Sequence, residues 1–237
     1  MTHEPAEAAR PCLVVIPARN EATTVASVVR AARAAVGADV LVVDDASDDG
    51  TREEALAAGA RVLPLTIRLG AWGAAQTGIR YAHRHGYTRV MTMDGDGQHH
   101  ADSLPCLLAA LDEGHDDIII GACEQRLSHA RRLAWAYFRM LSGLDVRDLT
   151  SGLRAYGQHA VAMLASPEAS LLEYQDLGVL ILAAARGLTL REVQVTMSPR
   201  LVGPSRIFSS WPTVARYMLA TSVLCLARIG HTGRPRK

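Results

Sequence analysis

The sequence predicts an α/β fold: a mostly parallel sheet with helices on both faces. Three observations lead there. Strand-like segments alternate with helix-like ones through residues 12–121. Those strands are solid apolar runs rather than alternating ones, as expected when both faces are covered. Polar clusters also fall where the strands end, and open parallel sheets bind ligands beyond the carboxyl ends of their strands.

The elements follow in order. Residues 12–16 form an apolar run closed by Pro17, read as a buried strand. Residues 21–36 carry Val25, Val28, Val29 and Ala32 at helical spacing. Residues 40–43 give a second strand, and residues 44–50 an acidic Ser/Gly turn. Residues 51–58 are rich in helix formers and stop at Gly59, a C-terminal cap signal. A third strand at 61–65, a helix at 72–85 stopped by Gly86, and a fourth strand at 89–93 ending on Asp94 come next. A helix at 103–113 and a fifth strand at 117–121 complete this half. Beyond Glu124 the pattern changes. It predicts an amphipathic helix at 133–141, a turn-rich strand region at 148–156 and a helix at 170–186 capped by Gly187. An edge or mixed strand at 190–195, a loop at 197–206 and a helix from Pro212 follow. The domain reading is a disordered 1–11, one α/β domain over 12–210, a C-terminal helical extension over 211–229, and a basic tail over 230–237.

Composition narrows the function classes. The chain has 237 residues and 49% hydrophobic content, enough for a globular core. A formal charge of +1 gives no whole-surface attraction to nucleic acid, and two Phe with six Tyr make a poor stacking platform. Cysteines at 12, 106, 123 and 225 match neither a zinc nor a redox spacing and read as thiols of a reducing compartment. Residues 1–11 lack the apolar core of a secretory leader. The longest apolar stretch, 214–229, carries Arg216 and Arg228 and falls short of a membrane span, although it could lie at an interface. A cytoplasmic setting is expected, with residues 212–229 either packed on the core or in peripheral contact with the inner face of the membrane.

Asp94-Gly95-Asp96-Gly97-Gln98-His99 is the sharpest chemical feature. A nucleoside diphosphate carries about two to three negative charges near neutrality. Hard oxygen ligands recruit a divalent cation to offset that charge. Magnesium-type sites need only one or two carboxylates, because phosphate and water complete the shell. The two glycines let backbone approach a ligand closely. D-G-D-G alone is also an ordinary surface turn, but its place after the buried run 90–93 favours a site. A calcium loop is disfavoured, since Gln98 and His99 break its pattern and no helix precedes it. Gly70, Gly73 and Gly78 lack dinucleotide-fingerprint spacing and read as a close-approach turn beside the donor.

Pro17-Ala18-Arg19-Asn20-Glu21, the stretch from Val43 through Asp44, Asp45 and Gly50 to Thr51, and the Asp94–His99 loop together resemble a family 2 glycosyltransferase. Asp148-Leu149-Thr150-Ser151-Gly152-Leu153-Arg154 and Arg200-Leu201-Val202-Gly203-Pro204-Ser205-Arg206 are similar to the dolichyl-phosphate mannose synthase group of polyprenyl-phosphate hexosyltransferases. The resemblance covers residues 13–207 and implies a GT-A fold and inverting transfer of a hexose from a GDP- or UDP-linked donor. It further implies that Pro17, Ala18, Arg19 and Glu21 line the nucleotide pocket, that Asp44 contacts base or ribose, and that Asp94 touches the nucleotide. Asp96 and Gln98 would bind Mg²⁺ or Mn²⁺, and Arg200 would meet phosphate.

The acceptor side offers two chemistries. A sugar hydroxyl needs a carboxylate base. Asp176 sits where related transferases place theirs, and Asp148 is the second candidate. A lipid phosphate, with a second pKa of about 6, is already largely ionised and needs positioning instead. Arg131, Arg154, Arg200 and Arg206 are the candidate clamp, since a guanidinium grips phosphate in bidentate fashion. The lipid-phosphate enzymes usually carry lysine where Arg206 stands. A polyprenyl phosphate acceptor is the leading reading, and a saccharide or small-molecule hydroxyl the alternative. A nucleotidyltransferase would need a basic Gly-rich loop after the first strand, which residues 17–21 lack. A non-catalytic nucleotide-binding module would bind nucleotide without transfer.

Overall fold

The computed structural model describes residues 12–123, 129–172, 177–198, 218–219 and 222–223, with the side chains of 129–133 outside that description. Seven strands form one sheet: β1 (Cys12–Ala18), β2 (Asp39–Asp44), β3 (Arg61–Pro64), β4 (Arg89–Thr92), β5 (Ile118–Ala122), β6 (Arg154–Tyr156) and β7 (Leu190–Gln194). Their order is β3-β2-β1-β4-β6-β5-β7. β1 pairs in parallel with β2 and β4, β2 with β3, and β5 with β7. Only β6 is reversed, running antiparallel to both β4 and β5. The helices are α1 (Val25–Val36), α2 (Thr51–Ala57), α3 (Gly70–Arg84), α4 (Leu104–Asp112), α5 (His129–Ser142), α6 (Gln158–Leu164) and α7 (Leu177–Ala185).

The solid apolar strands are explained by a core on each side of the sheet. Successive strand residues point to opposite faces. Leu13, Val15, Leu41 and Val43 therefore join one core with residues of α3, α5, α6 and α7. Val14, Ile16, Val40 and Val42 join the other with residues of α1, α2 and α4. Gly78 of α3 lies so close to β1 that a Cβ would sit 2.3 Å from Val15 Cγ1. Its role is helix-to-sheet packing, which corrects the expectation of a glycine turn beside the donor. Gly70 does turn the chain, at φ +80°, and opens α3. The Trp72 indole N–H donates to the Ala169 carbonyl, and the Gln76 amide to the Leu164 carbonyl, fixing α3 to the end of α6 and the chain beyond it.

Three elements differ from expectation. The first helix begins at Val25 rather than residue 21, because residues 20–24 are used to tie loops together. A helix at Gln158–Leu164 fills a stretch to which no element was assigned. The expected helix over 170–186 is represented by a 3-10 turn at Glu168–Leu171 and by α7, with 173–176 outside the described residues. Of the C-terminal extension, residues 218–219 and 222–223 are helical, and the rest lies outside the description, as do 1–11 and the basic tail.

Candidate functional site

The parallel strands β1, β2 and β4 end side by side, so three polar loops meet at one rim of the sheet. Ala18 is in register with Asp44, and Val15 with Thr92. The Asp45 N–H donates to the Ala18 carbonyl, and the Met93 N–H to the Val15 carbonyl, extending both pairings into the loops.

The loops after β1 and β2 are laced together. Asn20 N–H donates to Ser47 Oγ at 3.0 Å, Glu21 N–H to Thr51 Oγ1 at 2.8 Å, and Ala22 N–H to Asp49 Oδ2 at 3.2 Å. In return the Asp48 N–H donates to Asn20 Oδ1 at 3.1 Å. Asp49 also accepts from the Thr51 N–H and hydroxyl. Burial raises its carboxyl, but the hydrogen bonds from Thr51 and Ala22 outweigh that and hold it below the usual carboxylate range. Asn20 and Ala46 hold positive φ, 55° and 54°. Asparagine tolerates that region readily; alanine is strained there.

Within this frame Pro17, Arg19 and Glu21 are half-buried, and Ala18 is buried. Asp44, buried, accepts the Ser47 N–H at 3.1 Å on one carboxylate oxygen. Its neighbour Asp45, which the sequence reading gave no role, accepts the Leu69 and Gly70 N–H groups at 2.6 and 2.9 Å. It fastens the start of α3 to the rim.

The loop after β4 sits across from these. Thr24 Oγ1 donates to the Gly95 carbonyl at 2.8 Å, bridging to the β1 loop. A Cβ on Gly95 would lie 3.3 Å from Ala18 Cβ, so the two loops pack closely there. Asp96 Oδ1 accepts the Gln98 N–H at 3.1 Å, and Gly97 makes the turn at φ +74°. Gln98 is buried, while Asp94 and Asp96 are half-buried.

The reversed β6 explains what covers Asp94. Because it runs antiparallel, the chain enters it from the rim, and residues 148–153 pass over the ends of β4 and β5. Thr92 Oγ1 donates to the Gly152 carbonyl at 2.8 Å. A Cβ on Gly152 would lie 2.6 Å from Asp94 Oδ1 and 2.7 Å from Oδ2, so only glycine leaves that carboxylate its place. The chain after β7 returns to the same rim. Met197 forms a bridge with His99, Ser198 N–H donates to the Gln98 carbonyl at 2.9 Å, and Ser198 Oγ meets His100 Nε2 at 2.9 Å.

Two candidates from the acceptor motif are buried in this arrangement. Arg154, a candidate for the acceptor phosphate, stands in β6. It is 0% exposed, held in register between Thr92 and Ile120, and its guanidinium donates to the Leu149 carbonyl at 3.1 Å. The strand that carries it turns it into the sheet. The Asp148 carboxylate is 5% exposed and accepts the Cys123 and Thr150 N–H groups, both at 3.2 Å, fixing the chain after β5 to the loop before β6. Asp176, Arg200 and Arg206 lie outside the described residues, as does the side chain of Arg131.

A family model for "Glycosyl transferase family 2" matches residues 13–167, which span the loops after β1, β2 and β4 and the passage 148–153. The chain belongs to that family. It is a glycosyltransferase, and its seven-stranded sheet is the GT-A fold. Among curated relatives, it is 31% identical to an undecaprenyl-phosphate mannosyltransferase of Micrococcus luteus, over 82% of this chain and 86% of the relative. It is likewise 31% identical to a polyprenol monophosphomannose synthase of Mycolicibacterium smegmatis, over 84% and 81%. Among solved structures, glucosyl-3-phosphoglycerate synthase of Mycobacterium tuberculosis, in complex with Mn²⁺ and UDP-glucose, superposes with a TM-score of 0.70. It is 22% identical, over 96% of this chain and 85% of that one.

Proposed function

We propose that this glycosyltransferase moves a hexose from a UDP- or GDP-linked donor to a polyprenyl phosphate, with inversion and dependent on Mg²⁺ or Mn²⁺. The observation that carries the reading is the convergence of the β1, β2 and β4 loops on one rim, with Asp94 and Asp96 in a single glycine-rich turn. The acceptor class is supported by the two curated relatives, both named for polyprenol-type phosphate substrates.

The donor set fits a magnesium-type ion. Among the described residues no three His, Cys, Asp or Glu side chains form a ready cation cage. Two half-buried carboxylates and the Gln98 amide form a sparse oxygen set that a diphosphate would complete. A divalent cation held there by Asp96 and Gln98 would offset charge on the departing diphosphate. Pro17, Ala18, Arg19, Glu21, Asp44 and Asp94 are assigned to the nucleotide. In the transfer, a phosphate oxygen of the acceptor forms a bond to the anomeric carbon while the bond from that carbon to the diphosphate breaks. Arg131, Arg200 and Arg206 are assigned to the acceptor phosphate, which is already ionised and needs no base. With a hydroxyl acceptor, Asp176 would take the proton.

An exposed apolar face favours a lipid acceptor. Tyr137 and Met140 of α5 are 40% and 78% exposed, and Leu219 and Val223 of the C-terminal segment 68% and 57%. The Tyr137 hydroxyl lies 3.2 Å from Ser222 Oγ, so both segments belong to one surface. Among the described residues no helix is long and apolar enough to cross a membrane, and the face suits contact with a bilayer interface.

The test is transfer from radiolabelled UDP- and GDP-hexoses to undecaprenyl phosphate in detergent, with Mn²⁺ or EDTA, beside a panel of soluble saccharides. The parent is expected to label the lipid only with metal, and Asp96→Ala to lose transfer while keeping its melting temperature. Undiminished turnover by Asp96→Ala would overturn the site, and label entering only soluble hydroxyls would overturn the acceptor.

A further inference from the structure

We infer that His99 is a positioning residue that sets the place of Asp94 for the nucleotide; the inference rests on the nucleotide-binding role proposed for Asp94. The His99 side chain is 1% exposed, and its Nδ1 accepts the Asp94 backbone N–H at 3.3 Å. A backbone N–H can be accepted only by a ring nitrogen that carries a lone pair, so the ring proton sits on Nε2. Nε2 finds no hydrogen-bond partner among the described residues. A buried donor left unpaired loses its hydration without compensation, and a leucine would fill similar space without that cost. What the imidazole supplies and leucine lacks is the acceptor at Nδ1.

That acceptor acts where the chain leaves the sheet. Met93 N–H still pairs with the Val15 carbonyl of β1. The next N–H, that of Asp94, is taken by the ring. His99 is anchored at its own backbone by the bridge to Met197, and Gln98 beside it by the bond from Ser198. The ring is therefore a strut between the sheet end and a fixed base, closing the loop 94–99 across its mouth. The tautomer matters for the carboxylate as well. Nδ1 lies 3.6 Å from Asp94 Oδ2 and offers it no proton, so the carboxylate is left for ligand hydroxyl or amide donors. Gly152 on one side and the lone pair on the other keep it in that place.

Two substitutions test the idea. His99→Leu removes the acceptor, and His99→Asn returns a side-chain carbonyl at about the reach of Nδ1. Nucleoside diphosphate affinity is measured by calorimetry with Mn²⁺, melting temperature is followed in parallel, and the ring tautomer is read from nitrogen chemical shifts. The Leu variant is expected to bind about ten-fold more weakly, the weight of one lost hydrogen bond, with an unchanged or higher melting temperature. The Asn variant should recover most of the affinity, and the parent should show the Nε2–H tautomer. Unchanged affinity in His99→Leu, or an Nδ1–H tautomer in the parent, overturns the proposal. If leucine lowers affinity and melting temperature together, affinity recovered by asparagine supports it and affinity not recovered overturns it. Asp94→Asn run alongside separates the two levels. If it binds nucleotide as the parent does, the nucleotide role of Asp94 fails. If it weakens binding while His99→Leu does not, only the positioning role fails.

Discussion

Gly152→Ala should separate folding from catalysis. The new methyl would lie 2.6 Å from Asp94 Oδ1 and 2.8 Å from its Cγ. Ordinary contact begins at about 3.5 Å, so the carboxylate must retreat by about 0.9 Å. It can do so by turning its short side chain, at a cost of about 0.5–1.5 kcal/mol. Restricting the unfolded chain returns about 0.4–1 kcal/mol. The net change is therefore under about 1 kcal/mol, and the melting temperature should move by less than about 4 °C. Function should respond differently. With Asp94 in the nucleotide role proposed above, its displacement forfeits a hydrogen bond to a charged acceptor, about 1.5–3 kcal/mol, which corresponds to a fall of about 10- to 150-fold in kcat/KM. Gly78→Ala is the matched control. Its methyl would meet Val15 Cγ1 at 2.3 Å in the closed core between α3 and β1. Overpacking there should cost about 1–3 kcal/mol, with activity per folded molecule unchanged. Thermal melts and steady-state kinetics on both variants decide the matter. Full kcat/KM in Gly152→Ala, or a loss no greater than its loss of folded protein, refutes the argument.

Two further outcomes concern the laced loops. Ala46 holds φ 54°, which costs alanine about 1–2 kcal/mol, and glycine returns about 0.4–1 kcal/mol of that through unfolded-chain entropy. Ala46→Gly is thus expected to raise the melting temperature by about 1–4 °C, and a lower value would show that the strain is absent. Asp49 has its carboxyl held below the usual range when folded, so its contribution is present above the unfolded pKa and fades as pH falls through the folded one. The stability gap between the parent and Asp49→Ala, measured by urea unfolding, should be full at pH 6 and shrink below about pH 4. A gap that persists unchanged at pH 2.5 would refute the linkage.

The donor half was legible because its signals were redundant. Runs such as Val14-Val15-Ile16 and Leu41-Val42-Val43 are apolar on both faces, and each ends in a polar loop, so strand and rim were marked together. The reversal at β6 was harder to see. Three residues carry no periodicity of their own, and pairing with β4 and β5 is a tertiary fact. The full burial of Arg154 follows from that pairing and has no mark in the local sequence. α6 was missed although Ala160, Val161 and Leu164 repeat at helical spacing, since seven residues leave the pattern less than two turns to declare itself. Gly152 and His99 stood within quoted motifs without a role. Nothing local in their neighbourhood announces that one leaves room for Asp94 and the other accepts its N–H.

The bond from Ser198 to the Gln98 carbonyl spans one hundred positions of the chain. Synthesis proceeds from the N-terminus at about 5–20 residues per second, so about 5–20 s separate the emergence of its two ends. The strands that present Asp94 and Asp96 are made early, yet the outer edge of their loop has no partner until β7 and the residues after it arrive. A nascent chain stalled before that point would hold the carboxylates without the edge that steadies them. The loop that carries Asp94 and Asp96 is therefore completed about a hundred residues after the strand that leads into it.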